Sequence, residues 1–327
     1  MNTNRINQVM AVAAVAAVLM GSWAAADPLP GRDVLKFTQA PMIQTAIGVP
    51  GGQVVDYYGH DELSTAYSTF DGGEFVGYQG QFMADDFADT FDTPVVHVRW
   101  WGSYINNEIV QPVDRFLISF ESDIPAGTGG VDYSRPGEPL LNQVVTRGPL
   151  APGSGTFTER LVSPAQAPED VYEYNAELHL DKPFPQESDA VYWLKVVALV
   201  DVSADLAPDD PRTEWGWHNR DYTIMDPLAS TAVVPGEHVV GTLPDGQEIW
   251  HFQDNAVDGS VFIDPLNDPI MPQVFQDVRG PNNYLDGIDG PDGIIGQFSK
   301  DLAFELYTIP EPATMTLLAL GAGTCLI

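Results

Sequence analysis

Two groups of acidic residues have the side-chain chemistry to bind calcium. Asp85 and Asp86 are adjacent, and Asp286, Asp289 and Asp292 lie three residues apart in a glycine-rich run. Ca²⁺ takes roughly six to eight oxygen ligands, which carboxylates and backbone carbonyls supply. The glycine-rich run lacks the spacing of an EF-hand loop. Both groups could be weak calcium sites. Alternatively, Asp85 and Asp86 accept hydrogen bonds from backbone N–H groups in a turn, and the glycine-rich run is a flexible acidic loop.

Aromatic residues form a second candidate group. Trp101 follows Trp100 in a strand-like segment that ends near Tyr104, and Trp215 and Trp217 share one face of another segment. Aromatic rings of this kind stack on sugar rings, so extracellular polysaccharide is a candidate ligand. The same residues also suit a sandwich core with cross-strand aromatic packing. The spacing is compatible with both interpretations.

The sequence has no motif for familiar catalytic chemistry. It lacks G-x-S-x-G, and among 46 Asp and Glu residues a glycosidase-like pair of acids carries little information. The six histidines form neither H-x-x-x-H nor H-E-x-x-H, so a zinc site would need distant residues to converge. We therefore expect a protein without catalysis and without a cofactor other than calcium. A secreted hydrolase is the third-ranked alternative.

The sequence pattern predicts short strands as the elements that position these residues. Residues 113–121 alternate between two faces, and residues 190–201 are apolar enough for a central strand. Gly, Pro and Asp clusters separate these segments from others of the same kind. We expect an all-β fold, specifically a two-sheet antiparallel sandwich of jelly-roll type. Residues 27–308 would form it as a single domain.

The charge balance restricts the partners of this domain. Lys and Arg total 14 against 46 Asp and Glu, a net charge of −32. Such acidity repels phosphate backbones, which argues against nucleic acid binding. The only cysteine, Cys325, lies near the C-terminus. The domain must therefore fold without a disulfide bond.

Both ends of the chain have the composition of targeting segments. Residues 1–26 combine the basic Arg5, an apolar stretch and three small residues, Ala24 to Ala26, which is the pattern of a signal peptide. At the other end, Pro310-Glu311-Pro312 precedes 15 residues without a charged side chain. As a helix, those residues would span about 22 Å. We expect export of the protein.

The C-terminal segment resembles the PEP-CTERM sorting signal of exported bacterial proteins, which an exosortase-type membrane protease is thought to process. The resemblance implies that residues 309–327 hold the sorting signal and an apolar anchor helix. Pro310, Glu311 and Pro312 would be the recognition motif, and the exosortase-type protease would be the partner. The protein would be anchored transiently in the membrane and then reach the cell surface or the extracellular matrix.

A second resemblance covers roughly residues 75–308. Ala84-Asp85-Asp86-Phe87, Trp100-Trp101-Gly102-Ser103-Tyr104 and Trp215-Gly216-Trp217 occur in this order. The order looks like an uncharacterised domain family common in exported PEP-CTERM proteins. That resemblance implies a β-sandwich and carries over no catalytic residue. The expected function is a non-catalytic surface or matrix protein, with a carbohydrate-binding module as the alternative.

Overall fold

The computed structural model describes residues 33–43, 45–49, 53–57, 59, 61–163, 169–179, 181–207, 210–221, 238–242, 248–251, 256–281 and 301–309. The expected signal peptide, the Pro310-Glu311-Pro312 motif with its apolar helix, and the acids Asp286, Asp289 and Asp292 lie outside these residues.

Strands dominate the described part of the chain, together with two short 3₁₀-helices at Ile105–Asn107 and Thr128–Gly130. The strands are β1 (Val34–Gln39), β2 (Thr45–Val49), β3 (Gln53–Tyr57), β4 (Asp61–Leu63), β5 (Thr65–Asp71), β6 (Glu74–Phe87), β7 (His97–Tyr104), β8 (Arg115–Ile124), β9 (Arg135–Arg147), β10 (Thr156–Ser163), β11 (Val171–Glu177), β12 (Tyr192–Val200), β13 (Trp215–His218), β14 (His238–Thr242), β15 (Glu248–His251), β16 (Val257–Asp264), β17 (Gln273–Pro281) and β18 (Phe304–Thr308). The predicted all-β class is confirmed. Among the described residues, no helix is long and apolar enough to cross a membrane.

The strands pair into one large sheet in the order β1-β18-β7-β11-β10-β9-β8-β12-β5-β6-β16-β17, with β13 and β4 attached beside β7. Two further pairs, β2 with β3 and β14 with β15, are separate. The sheet is mixed, because β9 runs parallel to β10 and β5 runs parallel to β12. The expected pair of purely antiparallel sheets is therefore not what the hydrogen bonds form.

The apolar strand β12 is the reason for this difference. One edge of β12 pairs along its length with β8. The other edge pairs first with β6 and then with β5. Because β12 is hydrogen-bonded along both edges, the strands on its β8 side and those on its β5 and β6 side belong to one sheet. The apolar composition of residues 190–201 correctly predicted a central strand, but composition does not specify its neighbours.

Curvature of the sheet encloses an aromatic core. Phe37 of β1 lies 5.9 Å from Phe87 of β6 and 5.1 Å from Phe304 of β18, measured between ring centroids. β1 and β18 begin the strand order, whereas β6 stands near its other end. These contacts show that the sheet bends until its distant strands pack through their side chains. Such burial of apolar surface is the main favourable term in folding.

The centre of this core is a cluster of large rings. Phe116 of β8 lies 5.2 Å from Trp100 of β7 and 4.9 Å from Trp215 of β13. Trp100 also stacks on Tyr174 of β11, with ring centroids 5.4 Å apart. Because successive side chains alternate across a strand, Trp100 on the core face places His97, Arg99 and Trp101 on the opposite face of β7. That opposite face carries the polar groups described next.

Candidate functional site

A row of charged and amide side chains covers the face of β7 and β11 that lies away from the aromatic core. His97 and Arg99 of β7 pair directly with Glu177 and Asn175 of β11. Glu305 of β18 pairs with Arg99 from the other side. Residues opposite each other on neighbouring strands have closely spaced side chains. His97, Arg99, Asn175 and Glu177 are all buried.

His97 contacts three oxygen atoms through its two ring nitrogens. Its Nδ1 lies 3.0 Å from Oε1 of Glu177 and 3.5 Å from Oδ2 of Asp33, the residue just before β1. Its Nε2 lies 3.2 Å from Oδ1 of Asn175. The ligand atoms of Asp33, His97 and Glu177 all lie within 4.8 Å of one another. One nitrogen and two carboxylate oxygens thus face a common point, which suits a proton or a metal cation.

The orientation of the Asn175 amide determines the role of Nε2 of His97. The Nε of Arg99 donates to Oδ1 of Asn175 at 2.8 Å. The Nδ2 of Asn175 donates to Oε1 of Glu173 at 2.8 Å. Because Arg99 can only donate and an ionised Glu173 can only accept, the amide has a single orientation. Nε2 of His97 must therefore carry a proton and donate it to Asn175.

Glu305 of β18 extends the polar row from β7 toward β1. The Nη1 of Arg99 donates to Oε2 of Glu305 at 2.7 Å. Thr38 of β1 donates its hydroxyl to Oε1 at 3.2 Å, and the Tyr307 hydroxyl also donates to this carboxylate. The guanidinium of Arg99 lies 5.2 Å from the centroid of the Tyr307 ring. These contacts join β1, β18 and β7 on the same face.

A cavity of about 150 Å³ borders the end of this row. Its lining includes Glu177, Leu178, His179, Gly153 and Ile309. The backbone N–H of Gly153 donates to Oε2 of Glu177 at 3.3 Å, so one oxygen of this carboxylate is held from the cavity side. The other oxygen, Oε1, faces His97. Glu177 therefore connects the buried polar row with an open space.

A family comparison covers this part of the chain. The model described as "Domain of unknown function (DUF7901)" matches residues 35–275. The chain belongs to the DUF7901 family. His97 and Glu177 fall within the matched residues, whereas Asp33 lies just before them and Glu305 lies well beyond their end. No curated protein and no solved structure shows significant similarity to the chain.

The family match agrees with one of the two resemblances noted in the sequence. An uncharacterised domain was expected over roughly residues 75–308, and a DUF7901 domain of unknown function is found over 35–275. The PEP-CTERM resemblance and export of the DUF7901 protein stay predictions.

A second buried charge in the DUF7901 domain is Lys195 of β12. Its ammonium donates to Glu121 and to Gln276, and Gln276 donates to Oε2 of Glu121 at 2.7 Å. Lys195 also lies 4.3 Å from the centroid of the Phe82 ring. Burial lowers the pKa of Lys195, and the adjacent Glu121 carboxylate acts in the opposite direction. Together, Lys195, Glu121 and Gln276 join β12, β8 and β17.

A third polar group surrounds His218 of β13. Its Nδ1 lies 3.1 Å from Oδ1 of Asp61, and its Nε2 lies 2.7 Å from the carbonyl oxygen of Met42. Glu169 belongs to the same group and accepts a hydrogen bond from the Asn106 N–H at 2.6 Å. Burial, followed by the negative charge of Asp61, raises the pKa of Glu169 to about 7. This carboxyl group therefore titrates near neutral pH.

The candidate calcium ligands Asp85 and Asp86 lie within β6, not in a turn. Adjacent strand residues project to opposite faces, so the two carboxylates do not converge on one ion. Asp85 accepts hydrogen bonds from the backbone N–H groups of Asp86 at 3.1 Å and Leu302 at 2.7 Å. Burial, followed by the nearby Asp301 charge, raises the pKa of Asp85 well above its ordinary value. The backbone-bonding interpretation describes these contacts, although Leu302 is remote in sequence.

The four aromatic residues considered for glycan binding are buried. Trp215 and Trp217 are 0% exposed, Tyr104 is 1% exposed and Trp101 is 6% exposed. A sugar ring cannot stack on an aromatic face that protein atoms already cover. These residues therefore form no exposed patch of the expected kind. Binding of extracellular polysaccharide itself stays a prediction.

Three of these aromatic residues form hydrogen bonds inside the protein through their polar atoms. The indole N–H of Trp215 donates to the Tyr174 hydroxyl at 3.1 Å, and that of Trp217 donates to the Ala303 carbonyl at 2.9 Å. The Tyr104 hydroxyl donates to Glu159 at 2.7 Å. Buried indoles and phenols normally need such partners. The core interpretation of the aromatic pattern matches these positions.

Sequence reasoning missed the group of Asp33, His97 and Glu177. His97 and Glu177 are 80 residues apart, and the strand register that places them opposite each other is not encoded in any local motif. The histidine spacing pointed only to the condition that a zinc site would need distant residues to converge. Only the alternation along residues 95–104 indicated that His97 shares a face with Arg99. No comparable signal pointed to Asp33.

Proposed function

We propose that this DUF7901 protein is an exported, non-catalytic protein of the cell surface or extracellular matrix. Residues 1–26 would be its signal peptide, and residues 309–327 would be its sorting signal and transient membrane anchor. An exosortase-type protease would process the chain near Pro310-Glu311-Pro312. Carbohydrate binding is not put forward as a second function, since the aromatic residues considered for it are buried.

The position of β18 is the observation that supports this proposal best. β18 pairs with β1 on one side and β7 on the other, and it ends at Thr308. Pro310 follows two residues later in the sequence. A sorting motif that follows β18, the last strand of the described residues, could be reached by a protease without unfolding of the domain. Burial of Phe304 and Leu306 would hold the domain together after cleavage.

The described charged groups also support a structural role. Lys195 bonds to Glu121, Arg99 bonds to Glu305, and Lys36 donates to Gln186 at 2.9 Å. Each contact links different strands or a strand and a loop, so these groups connect the sheet. Removing one partner of such a buried pair is strongly destabilising. Their arrangement fits a framework that must remain folded outside the cell.

Fractionation of a bacterial host that carries an exosortase-type protease tests this function. The full-length chain should lose residues 1–26 and its C-terminal segment, and it should become accessible to protease added outside the cell. Replacing Pro310, Glu311 and Pro312 together with alanine should leave the protein uncleaved in the membrane fraction. Thr314→Ser is the matched control in the same segment. Retention in the cytoplasm, or unchanged processing of the triple variant, would refute the proposal.

A further inference from the structure

We propose that Asp33, His97 and Glu177 bind a divalent transition-metal ion, with Zn²⁺ as the probe. The three residues supply one imidazole nitrogen and two carboxylate oxygens, all within 4.8 Å of one another. Carboxylate and imidazole ligands are common in zinc sites. An imidazole nitrogen favours zinc and related metals over calcium and magnesium, which prefer oxygen. This site is independent of the export proposed above.

Two of the three ligand separations match those around a coordinated ion, and the third is below 4.8 Å. Nδ1 of His97 lies 3.0 Å from Oε1 of Glu177 and 3.5 Å from Oδ2 of Asp33. Two ligands about 2.1 Å from a metal are about 3.0 Å apart at a right angle and about 3.4 Å apart at the tetrahedral angle. Small side-chain adjustments would therefore place an ion between the three atoms.

The hydrogen bonds around His97 favour the tautomer that a metal requires. Nε2 of His97 donates to Asn175, whose amide is oriented by Arg99 and Glu173. Metal-binding histidines usually donate their other ring N–H to a carbonyl or carboxylate oxygen in this way. The lone pair of a neutral His97 is then on Nδ1, which faces the carboxylates of Asp33 and Glu177. A divalent cation at this position would be attracted by both carboxylates and would accept the Nδ1 lone pair.

The surroundings shield the three ligands from solvent, and a cavity lies beside one of them. The side chains of Asp33, His97 and Glu177 are 0%, 1% and 1% exposed. Glu177 also lines the cavity of about 150 Å³ described above. A zinc site with three protein ligands normally takes a fourth ligand from water, and a cavity of this size has room for one.

A metal ion at this position would stabilise the packing of β18, the last strand of the described residues. Asp33 immediately precedes β1, His97 begins β7 and Glu177 ends β11. β18 lies between β1 and β7, and its Tyr307 ring is 5.1 Å from the His97 ring. Coordination would therefore join three chain segments around the end of β18. Metal binding to the folded state raises its stability.

Zinc retention by the full-length chain tests this proposal. Purified protein is stripped with EDTA, incubated with Zn²⁺, dialysed, and its metal content is measured by mass spectrometry. Wild type should retain one zinc ion per chain, and its melting temperature should rise. Glu177→Gln and Asp33→Asn should weaken retention about tenfold or more, because each loses a charged ligand. His179→Gln, which changes another side chain at the same cavity, should behave as wild type.

The remaining outcomes distinguish zinc binding at Asp33, His97 and Glu177 from nonspecific zinc binding to the acidic surface. Equal zinc retention by wild type, Glu177→Gln and Asp33→Asn would mean binding elsewhere and would overturn the proposal. Absence of zinc from wild type would overturn it too. Near-ultraviolet circular dichroism shows whether the variants fold. If they do not, the visible absorption spectrum of Co²⁺-loaded wild type tests the site instead. Strong visible bands displaced by Zn²⁺ support the site, and their absence refutes it.

Discussion

At the scale of single residues, burial determines what an aromatic side chain contributes. Trp217 is 0% exposed, donates to the Ala303 carbonyl and lies 5.9 Å from the Phe304 ring. Phe275 on β17 is 57% exposed. Both residues are large and aromatic, so their sequence types do not distinguish them. Because their burial differs, we expect replacement of Trp217 to cost much more stability than replacement of Phe275.

Trp217→Ala should lower the free energy of unfolding by about 3–5 kcal/mol, because it leaves a cavity and removes an indole hydrogen bond. Phe275→Ala should change it by less than about 1 kcal/mol, as is usual for surface substitutions. Urea unfolding followed by circular dichroism measures both values. Equal losses for the two variants would contradict the buried position of Trp217.

A pH effect also belongs to a single residue, Glu169. Its pKa is raised to about 7 in the folded protein, above the ordinary unfolded value near 4.5. The folded state therefore binds the proton more tightly, and the stability contributed by this group is fully present below pH 4.5. That contribution is lost as the pH rises through about 7. The folded structure therefore moves the titration of Glu169 into the neutral pH range.

Glu169→Gln should remove this pH dependence. The difference in unfolding free energy between wild type and Glu169→Gln should change between pH 4.5 and pH 8, with wild type losing stability relative to the variant. Glu138→Gln, an exposed substitution, serves as the control and should follow wild type across the range. Parallel pH profiles for wild type and Glu169→Gln would contradict the raised pKa.

At the scale of elements, β7 and β13 approach each other closely at Gly102. The backbone of Gly102 pairs with Trp217 across the strands, and the ring of Trp215 packs against it. A Cβ added at Gly102 would lie 2.3 Å from Cζ2 of Trp215 and 2.4 Å from the carbonyl oxygen of Gly216. Such distances are too short for ordinary contact. The glycine is therefore required by packing between these strands.

Gly102→Ala should destabilise the protein by about 2–3 kcal/mol or more, because an extra methyl group forces a packed core apart. Gly148→Ala is the matched control, since its nearest contact would be the Thr156 methyl group at 3.3 Å. That variant should lose less than about 1 kcal/mol. Thermal unfolding compares the two. A stability of Gly102→Ala equal to that of Gly148→Ala would contradict the close approach of β7 and β13.

At the scale of the whole molecule, the net charge of −32 is the dominant property. Like charges on a compact chain repel one another and destabilise the folded state. Salt weakens this repulsion, since the screening length falls from about 30 Å at 0.01 M to about 3 Å at 1 M. The stability of the protein should therefore depend on ionic strength.

The melting temperature at pH 7 should rise when NaCl is increased from 10 mM to 500 mM. At pH 4.1, close to the isoelectric point, net repulsion is small and the same addition of salt should have much less effect. Differential scanning calorimetry at the two pH values makes the comparison. A salt effect of the same size at both would show that screening of the net charge is not its cause.

Much of the strand content was predictable, and the sheet topology was not. Alternation in residues 113–121 correctly predicted β8, and the apolar run 190–201 correctly predicted β12. Periodicity reports which side of a strand is buried, but it carries no information about which strand lies alongside. The parallel pairs of β5 with β12 and β9 with β10 therefore differed from the expected antiparallel sandwich.

The candidate sites show the same limit at the level of particular residues. Neighbouring acids suggested that Asp85 and Asp86 act together, yet an extended strand turns them to opposite faces. Aromatic spacing left Trp215 and Trp217 between core and surface, and their burial assigns them to the core. Asp33, His97 and Glu177 were not linked by any motif, because the pairing of β7 with β11 and the position of the residue before β1 bring them together.

The sequence by itself determined the all-β class, the acidic character and the membership in a domain family of unknown function. These properties follow from composition, local periodicity and ordered motifs, which do not depend on distant contacts. Only the tertiary structure decided which polar side chains meet. His97 faces Asp33 and Glu177 because β7 pairs with β11 and lies one strand away from β1. Backbone hydrogen bonds between remote segments set that register, and a linear sequence does not display them.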